Sequence, residues 1–434
     1  MPARTPPLHR LLAPRLREAL GDTPVVLIHG PRQSGKTTLA RMVGEPRGHR
    51  YFTFDDDGVR QSAERDPVGF VGELPSRAIL DEVQRVPALF TALKGEVDRR
   101  RTPGRFILTG SANVLLVPAL ADSLAGRMGL LRLHPLSQCE IGGAAPWFLD
   151  ALFGQGFPSR VVARLGDELH ERITSGGYPA ALARKRASRR SAWYRDYVEA
   201  QIQRDVQDLS RLRSFDALPR LLALASNYTA RLLNISELAG PFSLSRTTIH
   251  EYVTLLERVF LLERLPPWHT NQLSRLIKAP KLHMGDTGLA CALLGLDAAQ
   301  LKHDRLTLGP MLETFVLQEL RRQASGRPVP LSFFHYRDRD DFEVDVVIER
   351  GAAAIVGVEV KASASISQAD LRGLRKLRES AGKRFVRGVV LYDGDAVIDF
   401  GDHLQAVPLR MLWEGKQHRS ACSRPRSVSE TRAV

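Results

Sequence analysis

The spacing of apolar residues changes character twice along the chain. Across residues 8–140, short apolar runs at 25–28, 51–54, 78–80 and 106–108 alternate with helix-length segments, and each run stops at a polar or glycine turn. Runs of this length predict buried strands, and their alternation with helical segments predicts a parallel sheet covered on both faces. From 155 to 300 the apolar spacing becomes three and four, which predicts helices. Gly/Pro-rich stretches at 142–146 and 154–158 read as the linker between these parts. Across 305–412 the two periods mix. A helix is expected at 311–323, strands at 331–336, 342–348 and 353–361, a helix at 368–380 and a strand at 387–391. The basic, polar tail at 416–434 reads as disordered.

The chain has 434 residues, 43% of them hydrophobic and 25% charged, a globular balance that supplies more than one core. That composition excludes a disordered chain, a collagen-like repeat and a coiled coil. Lys and Arg exceed Asp and Glu by 62 to 48, a net charge of +14, which favours an anionic partner, with nucleic acid in first place. Cys139, Cys291 and Cys422 are far apart and form no Cys-x-x-Cys pair, so neither a disulfide framework nor a thiolate zinc site is expected. A reducing, cytoplasmic setting fits best. No window approaches the roughly 20 apolar residues that span a bilayer, and no secretory signal is recognisable, so no membrane partner is expected.

The most specific motif is Gly30-Pro31-Arg32-Gln33-Ser34-Gly35-Lys36-Thr37, followed by Thr38. It fits G-x-x-x-x-G-K-[ST] and lies between an apolar strand and a helical stretch, as a phosphate-binding loop requires. Glycines let the backbone wrap a phosphate, and the amides at the helix start face the anion. In this reading Lys36 reaches the β- and γ-phosphates of ATP, and Thr37 places its hydroxyl on Mg²⁺. The strand at 78–80 runs into Asp81 and Glu82, the pattern of a Walker B element. Asp81 would hold Mg²⁺ through water, and Glu82 would orient or deprotonate the attacking water. A further strand ends at Leu108-Thr109-Gly110-Ser111-Ala112-Asn113. Ser111 or Asn113 is placed there to meet the γ-phosphate or the water, or else to cap a helix. Arg127 is a candidate to neutralise transition-state charge, in cis or in a neighbouring subunit of a homo-oligomer; a solvated surface arginine is the alternative.

These segments, together with Ala125-Gly126-Arg127, Pro135-Leu136-Ser137, Gly176-Gly177-Tyr178-Pro179, Arg204-Asp205 and residues 281–289, resemble AAA+-type P-loop ATPases of bacteria and archaea. Members of that family carry a carboxyl-terminal domain of unknown function related to restriction-endonuclease folds. The resemblance covers roughly residues 8 to 410. It implies a P-loop domain, a winged-helix middle and a nuclease-like end.

Within the middle, Asn234 opens a short helix, 240–244 turns the chain, and Ser245 caps a second helix carrying Arg246, Thr247 and His250 on its outer face. This is helix–turn–helix logic, with a winged module expected over 234–265. The module reads DNA or serves as a lid or protein-docking unit. Arg184-Lys185-Arg186 and Arg189-Arg190 add either phosphate contacts or a solvated face.

The order helix–strand–strand–strand–helix–strand across 305–412 is that of a PD-(D/E)XK nuclease core. Asp345 interrupts an apolar strand, while Glu359 and Lys361 share one face of the next. These three, with Glu313 from the preceding helix, are candidates for a nuclease-like centre in which Asp345 and Glu359 bind Mg²⁺. A structural ion pair is the alternative. The fold expectation is thus an α/β chain: an AAA+-like P-loop NTPase sheet at 8–140, a helical middle at 155–300 and a restriction-endonuclease-like α/β domain at 305–412. The leading function is a Mg²⁺-dependent ATPase that couples its nucleotide state to the winged-helix and nuclease-like modules, acting on DNA. Two alternatives stand beside it: an ATP-gated, metal-dependent DNA nuclease, and a nucleotide switch that docks a protein partner without nucleic acid.

Overall fold

The computed structural model describes residues 8–111, 126–203, 217–242, 244–271, 275 and 278–415. Ala112, Asn113, Ala125, Arg204, Asp205, Cys422 and the tail at 416–434 lie outside the described residues.

Five strands form the first sheet: β1 (Val25–His29), β2 (Arg50–Thr53), β3 (Ala78–Asp81), β4 (Phe106–Gly110) and β5 (Met128–Arg132). Their order is β2-β3-β4-β1-β5, and every pairing is parallel. β1, β3 and β4 are buried at every position, which their unbroken apolar runs require, because helices cover both faces. Val25, Leu27, Leu80 and Leu108 pack against the helices Asp57–Arg65, Pro67–Glu73 and Leu89–Arg99. Val26, Ile28, Ile79 and Ile107 pack on the opposite face against Ala13–Asp22 and Lys36–Gly44. β5 lies at the sheet edge beside β1 and is only partly buried, so it lacks the apolar signature of its neighbours.

The middle of the chain is helical, closed by a three-stranded antiparallel sheet of β6 (Arg231–Leu232), β7 (Leu262–Leu265) and β8 (Lys281–Met284) in the order β6-β8-β7. Two helices lie between β6 and β7. Asn234 accepts hydrogen bonds from the N–H groups of Ser236 and Glu237 and so starts Ile235–Ala239. Ser245 accepts from the Thr248 N–H at 3.1 Å and starts Arg246–Arg258. Ile249, Tyr252, Val253 and Leu256 turn inward, and Arg246, Thr247 and His250 are exposed.

The third part contains a six-stranded mixed sheet in the order β13-β14-β12-β11-β10-β9. Its strands are β9 (Ser332–Arg337), β10 (Glu343–Arg350), β11 (Ala354–Lys361), β12 (Phe385–Tyr392), β13 (Ile398–Asp399) and β14 (Leu404–Pro408). The long helix Arg305–Ser325 precedes the sheet, and Arg372–Ala381 crosses between β11 and β12, which pair in parallel.

Apolar packing crosses the expected boundary near residue 305 on one face of the last sheet, while Tyr336, Val344, Leu374 and Leu377 form a separate cluster on its other face. One continuous apolar cluster runs from Cys139 to Trp413 and includes Leu256, Phe315 and Val358, from the middle and the end of the chain alike. The chain leaving β7 also docks on the β9 edge: the Trp268 N–H donates to the His335 carbonyl at 2.6 Å, and its indole N–H to Glu349 at 2.8 Å.

Candidate functional site

The loop after β1 is shaped by its glycines. Gly30 has φ +150°, and a Cβ there would stand 2.1 Å from the Leu133 carbonyl oxygen, so only glycine allows this crossing. Gly35 has φ +97° and sits at the start of the helix Lys36–Gly44, whose first amides face the loop interior. Lys36 is buried and its Nζ donates to the carbonyls of Gly30 at 3.0 Å and Pro31 at 2.9 Å. The Ser34 hydroxyl is buried without a hydrogen-bond partner. Arg32 is half-buried, whereas Gln33 and Thr38 are exposed.

Arg10 fixes the loop from behind, a role with no sequence motif. Its guanidinium donates to the Ser34 carbonyl at 2.6 Å, to the His134 carbonyl at 2.6 Å and to Glu140 at 3.0 Å.

Asp81, at the end of β3, faces the same cradle. Its carboxylate accepts from the Thr37 hydroxyl at 2.8 Å, from the Tyr51 phenol at 2.8 Å and from the Thr109 hydroxyl. Burial, and then the hydrogen bond to Asp81, push the Tyr51 phenol up to about 12. Glu82 has φ +59°, a left-handed conformation that turns the chain out of the strand at this point. The Gln84 amide donates to the Glu82 carboxylate and, at 2.9 Å, to the Ser111 hydroxyl, tying Ser111 to the acidic residue. His29 closes β1 beside this group; burial, then Arg132 and Lys36, lower its imidazole to about 3 and keep it neutral. Thr37 and Asp81 supply hard oxygen donors already in contact, so the residues present fit a Mg²⁺ ion beside the phosphates.

Arg127 is placed otherwise than expected for a role in cis. It precedes β5, whose first residue, Met128, pairs with Val25 at the opposite end of β1 from the loop. The length of β1, roughly 16 Å at 3.3 Å per residue, separates the two. Arg127 instead pairs with Asp98 on the helix Leu89–Arg99.

Comparison with known proteins agrees with this geometry. The model of the AAA domain family matches residues 22–142, and two domains of unknown function match 166–300 (DUF8612) and 308–412 (DUF4143). The uncharacterized proteins Rv2008c of Mycobacterium tuberculosis and Mb2031c of Mycobacterium bovis are each 31% identical over 399 residues, covering 91% of this chain and 82% of theirs. The chain belongs to the family of these two proteins. Among solved structures, a Walker-type ATPase of Pyrococcus abyssi is 16% identical with a TM-score of 0.41, covering 65% of this chain and 94% of its own. The RuvB Holliday junction branch migration motor of Thermotoga maritima is 17% identical with a TM-score of 0.28, covering 60% and 90%. The loop, the acidic strand end and the family match together make the first part of the chain a P-loop ATPase domain of the AAA type. No helix among the described residues is long and apolar enough to cross a membrane.

A second polar centre lies where β10 and β11 meet the helix Arg305–Ser325. Val346 pairs with Val358, so Asp345 stands opposite Glu359; Asp345 accepts the Val360 N–H at 2.8 Å. Lys361 pairs with Glu359 at 2.9 Å. Glu313 reaches the same place from the helix, so the four residues expected here are close together. Two further residues went unassigned in the sequence reading. Lys281, the first residue of β8, places its Nζ 2.7 Å from Glu313, 2.5 Å from Glu343 and 3.5 Å from Asp345. Burial opposes its charge, but Glu313, Asp345 and Glu343 outweigh burial and hold the ammonium protonated. Burial, then the neighbouring Asp345, push the Glu359 carboxyl up to about 8. Among the described residues, no group of three or more His, Cys, Asp or Glu is arranged to hold a metal ion.

Proposed function

We propose that this protein is a Mg²⁺-dependent ATPase, converting ATP to ADP and phosphate, and that its middle and carboxyl-terminal parts read the nucleotide state in work on DNA. The observation that carries the ATPase reading is the Thr37–Asp81 contact. It brings the helix start after the loop and the acidic end of β3 together at the carboxyl-terminal end of the parallel strands. A bound Mg²⁺ would neutralise charge on the phosphates there. The chain's own groups supply the rest. The loop amides bind phosphate oxygens, and Lys36 exchanges two backbone carbonyls for the β- and γ-phosphates. Glu82 takes the proton of the attacking water, held in place through Gln84 and Ser111.

A buried polar path supports the coupling. Arg10 joins the loop to Glu140, and the segment around Glu140 is gripped by the helix Arg305–Ser325. The Gln138 N–H donates to Glu319 at 2.8 Å, and Arg322 donates to the Leu136 carbonyl at 3.0 Å and to Asp286 at 2.9 Å. A shift of the loop on nucleotide binding therefore bears on a helix that ends in the last domain.

The net charge of +14 supports DNA as partner, as do the exposed Arg246, Thr247 and His250 at a helix start and the exposed Lys185, Arg186 and Arg189. The module that carries them reads as a winged helix whose second helix start, Arg246–His250, is the DNA-facing element. The nuclease alternative has the PD-(D/E)XK-like strand order and the meeting of Asp345, Glu359, Lys361 and Glu313 in its favour.

An ATPase assay with and without duplex DNA tests the proposal. Turnover that disappears in Lys36→Ala and rises with DNA is expected. Turnover indifferent to DNA, with DNA affinity that is weak and equal at low and high salt, would remove DNA from the account. ATP binding without any turnover would leave a nucleotide switch.

A further inference from the structure

The second polar centre holds a cation already, and that cation belongs to the chain. We propose that the ammonium of Lys281 is the resident counter-ion of the carboxylates Glu313, Glu343 and Asp345, and that it excludes a divalent metal from this centre.

The geometry is that of an occupied site. Lys281 is a lysine buried to 4% side-chain exposure, and its Nζ lies at hydrogen-bond or ion-pair distance from three carboxylates carried by two other elements, the helix Arg305–Ser325 and β10. An ammonium has three donors, and three acceptors surround it. A Mg²⁺ or Mn²⁺ ion at the same point would need carboxylate oxygens at about 2.0–2.2 Å and would meet the ammonium head-on. Asp345 is held in place by a further contact, its Oδ2 accepting the Val360 N–H at 2.8 Å. Glu359 is bound through one oxygen to Lys361, while its Oε2 is buried without a partner. That orphaned oxygen shows a centre with ligand capacity left over. The residues present thus fit an ammonium, and they do not fit a divalent metal while Lys281 stays.

The lysine also comes from outside the domain that it neutralises. β8 belongs to the three-stranded sheet of the middle part, where Lys281 pairs with Leu265 and Leu232. Between β7 and β8 the chain crosses to the β9 edge at Trp268. The inference rests on the acidic centre alone and not on the ATPase reading; failure of either leaves the other standing.

Mn²⁺ binding to the full chain, without nucleotide, is the test. It is followed by electron paramagnetic resonance in the wild type, Asp345→Asn, Lys281→Met and the Lys281→Met/Asp345→Asn double variant. The wild type and Asp345→Asn are expected to bind Mn²⁺ alike. Lys281→Met is expected to gain one site of at least ten-fold higher affinity, lost again in the double variant. A wild-type site that Asp345→Asn removes would overturn the proposal, and this arm needs no lysine variant to fold. A Lys281→Met protein that gains no site while keeping the wild-type circular dichroism spectrum would overturn it as well.

Discussion

Asp81 carries more hydrogen bonds than a surface carboxylate, and each comes from a different element: Thr37 from the loop helix, Tyr51 from the β2 strand and Thr109 from β4. Removing one donor leaves part of a buried carboxylate unsatisfied, which costs about 1–3 kcal/mol. Thr109→Val should therefore lower the unfolding free energy obtained from urea denaturation by that amount and also weaken Mg²⁺-dependent ATP binding; a variant as stable as the wild type would count against this network. The His335 imidazole illustrates pH dependence. Burial, then Lys281, lowers it from 6.5 to about 4. Below 6.5 the unfolded chain takes up a proton that the folded chain refuses, so this stabilisation is complete above 6.5 and is lost as pH falls towards 4. The slope is at most about 1.4 kcal/mol per pH unit. His335→Gln should flatten the stability profile across that window, as read by urea denaturation at pH 6.5, 5.5 and 4.5.

At the scale of elements, legibility followed burial. β1, β3 and β4 were visible because each is an apolar run buried on both faces, and the loop was visible because phosphate binding fixes residue types at fixed spacing. β5 was missed: an edge strand with Gly129 and Arg132 in it carries no continuous apolar signal. The helix starts at 235 and 246 were legible through the caps Asn234 and Ser245. The partners of Lys281 were not, since Glu313 and Asp345 lie 32 and 64 residues away and no local period encodes such a meeting. Arg10 escaped for the same reason. The helix Arg246–Arg258 also carries a prediction. Arg246→Ala with His250→Ala should weaken DNA binding several-fold and reduce its salt slope, as measured by fluorescence anisotropy at two salt concentrations. An unchanged slope would place DNA elsewhere on the molecule.

At the scale of the whole molecule, the continuous apolar cluster from Cys139 to Trp413 packs the middle and the end together, and the Arg132–Glu263 ion pair and the hydrogen bonds of Gln138 to Glu319 and Arg322 to Leu136 join them to the ATPase domain. Glu263, on β7, lies between Arg132 of β5 and Arg321 of the long helix, beside a cleft of about 640 Å³ lined by Arg15, Glu257 and Arg264. Burial works against the Glu263 charge, but the two guanidiniums outweigh it and hold the carboxyl below its ordinary range. Arg322 of the long helix and Asp286 of the middle join those two parts, at 5% and 1% side-chain exposure. Arg322→Met would strand the Asp286 carboxylate, at a cost of about 3–5 kcal/mol. The middle and last parts should then melt together at a lower temperature in calorimetry; a split into separate transitions would show that the two do not share a core. Coupling to the middle and the end requires ATP to be held between the loop at 30–37 and the acidic pair 81–82 and hydrolysed there. Single-turnover hydrolysis of radiolabelled ATP by Glu82→Gln measures this most directly. ATP bound within a few-fold of wild-type affinity and cleaved about 10²–10⁴ times more slowly is the predicted result, whereas cleavage at the wild-type rate would contradict it.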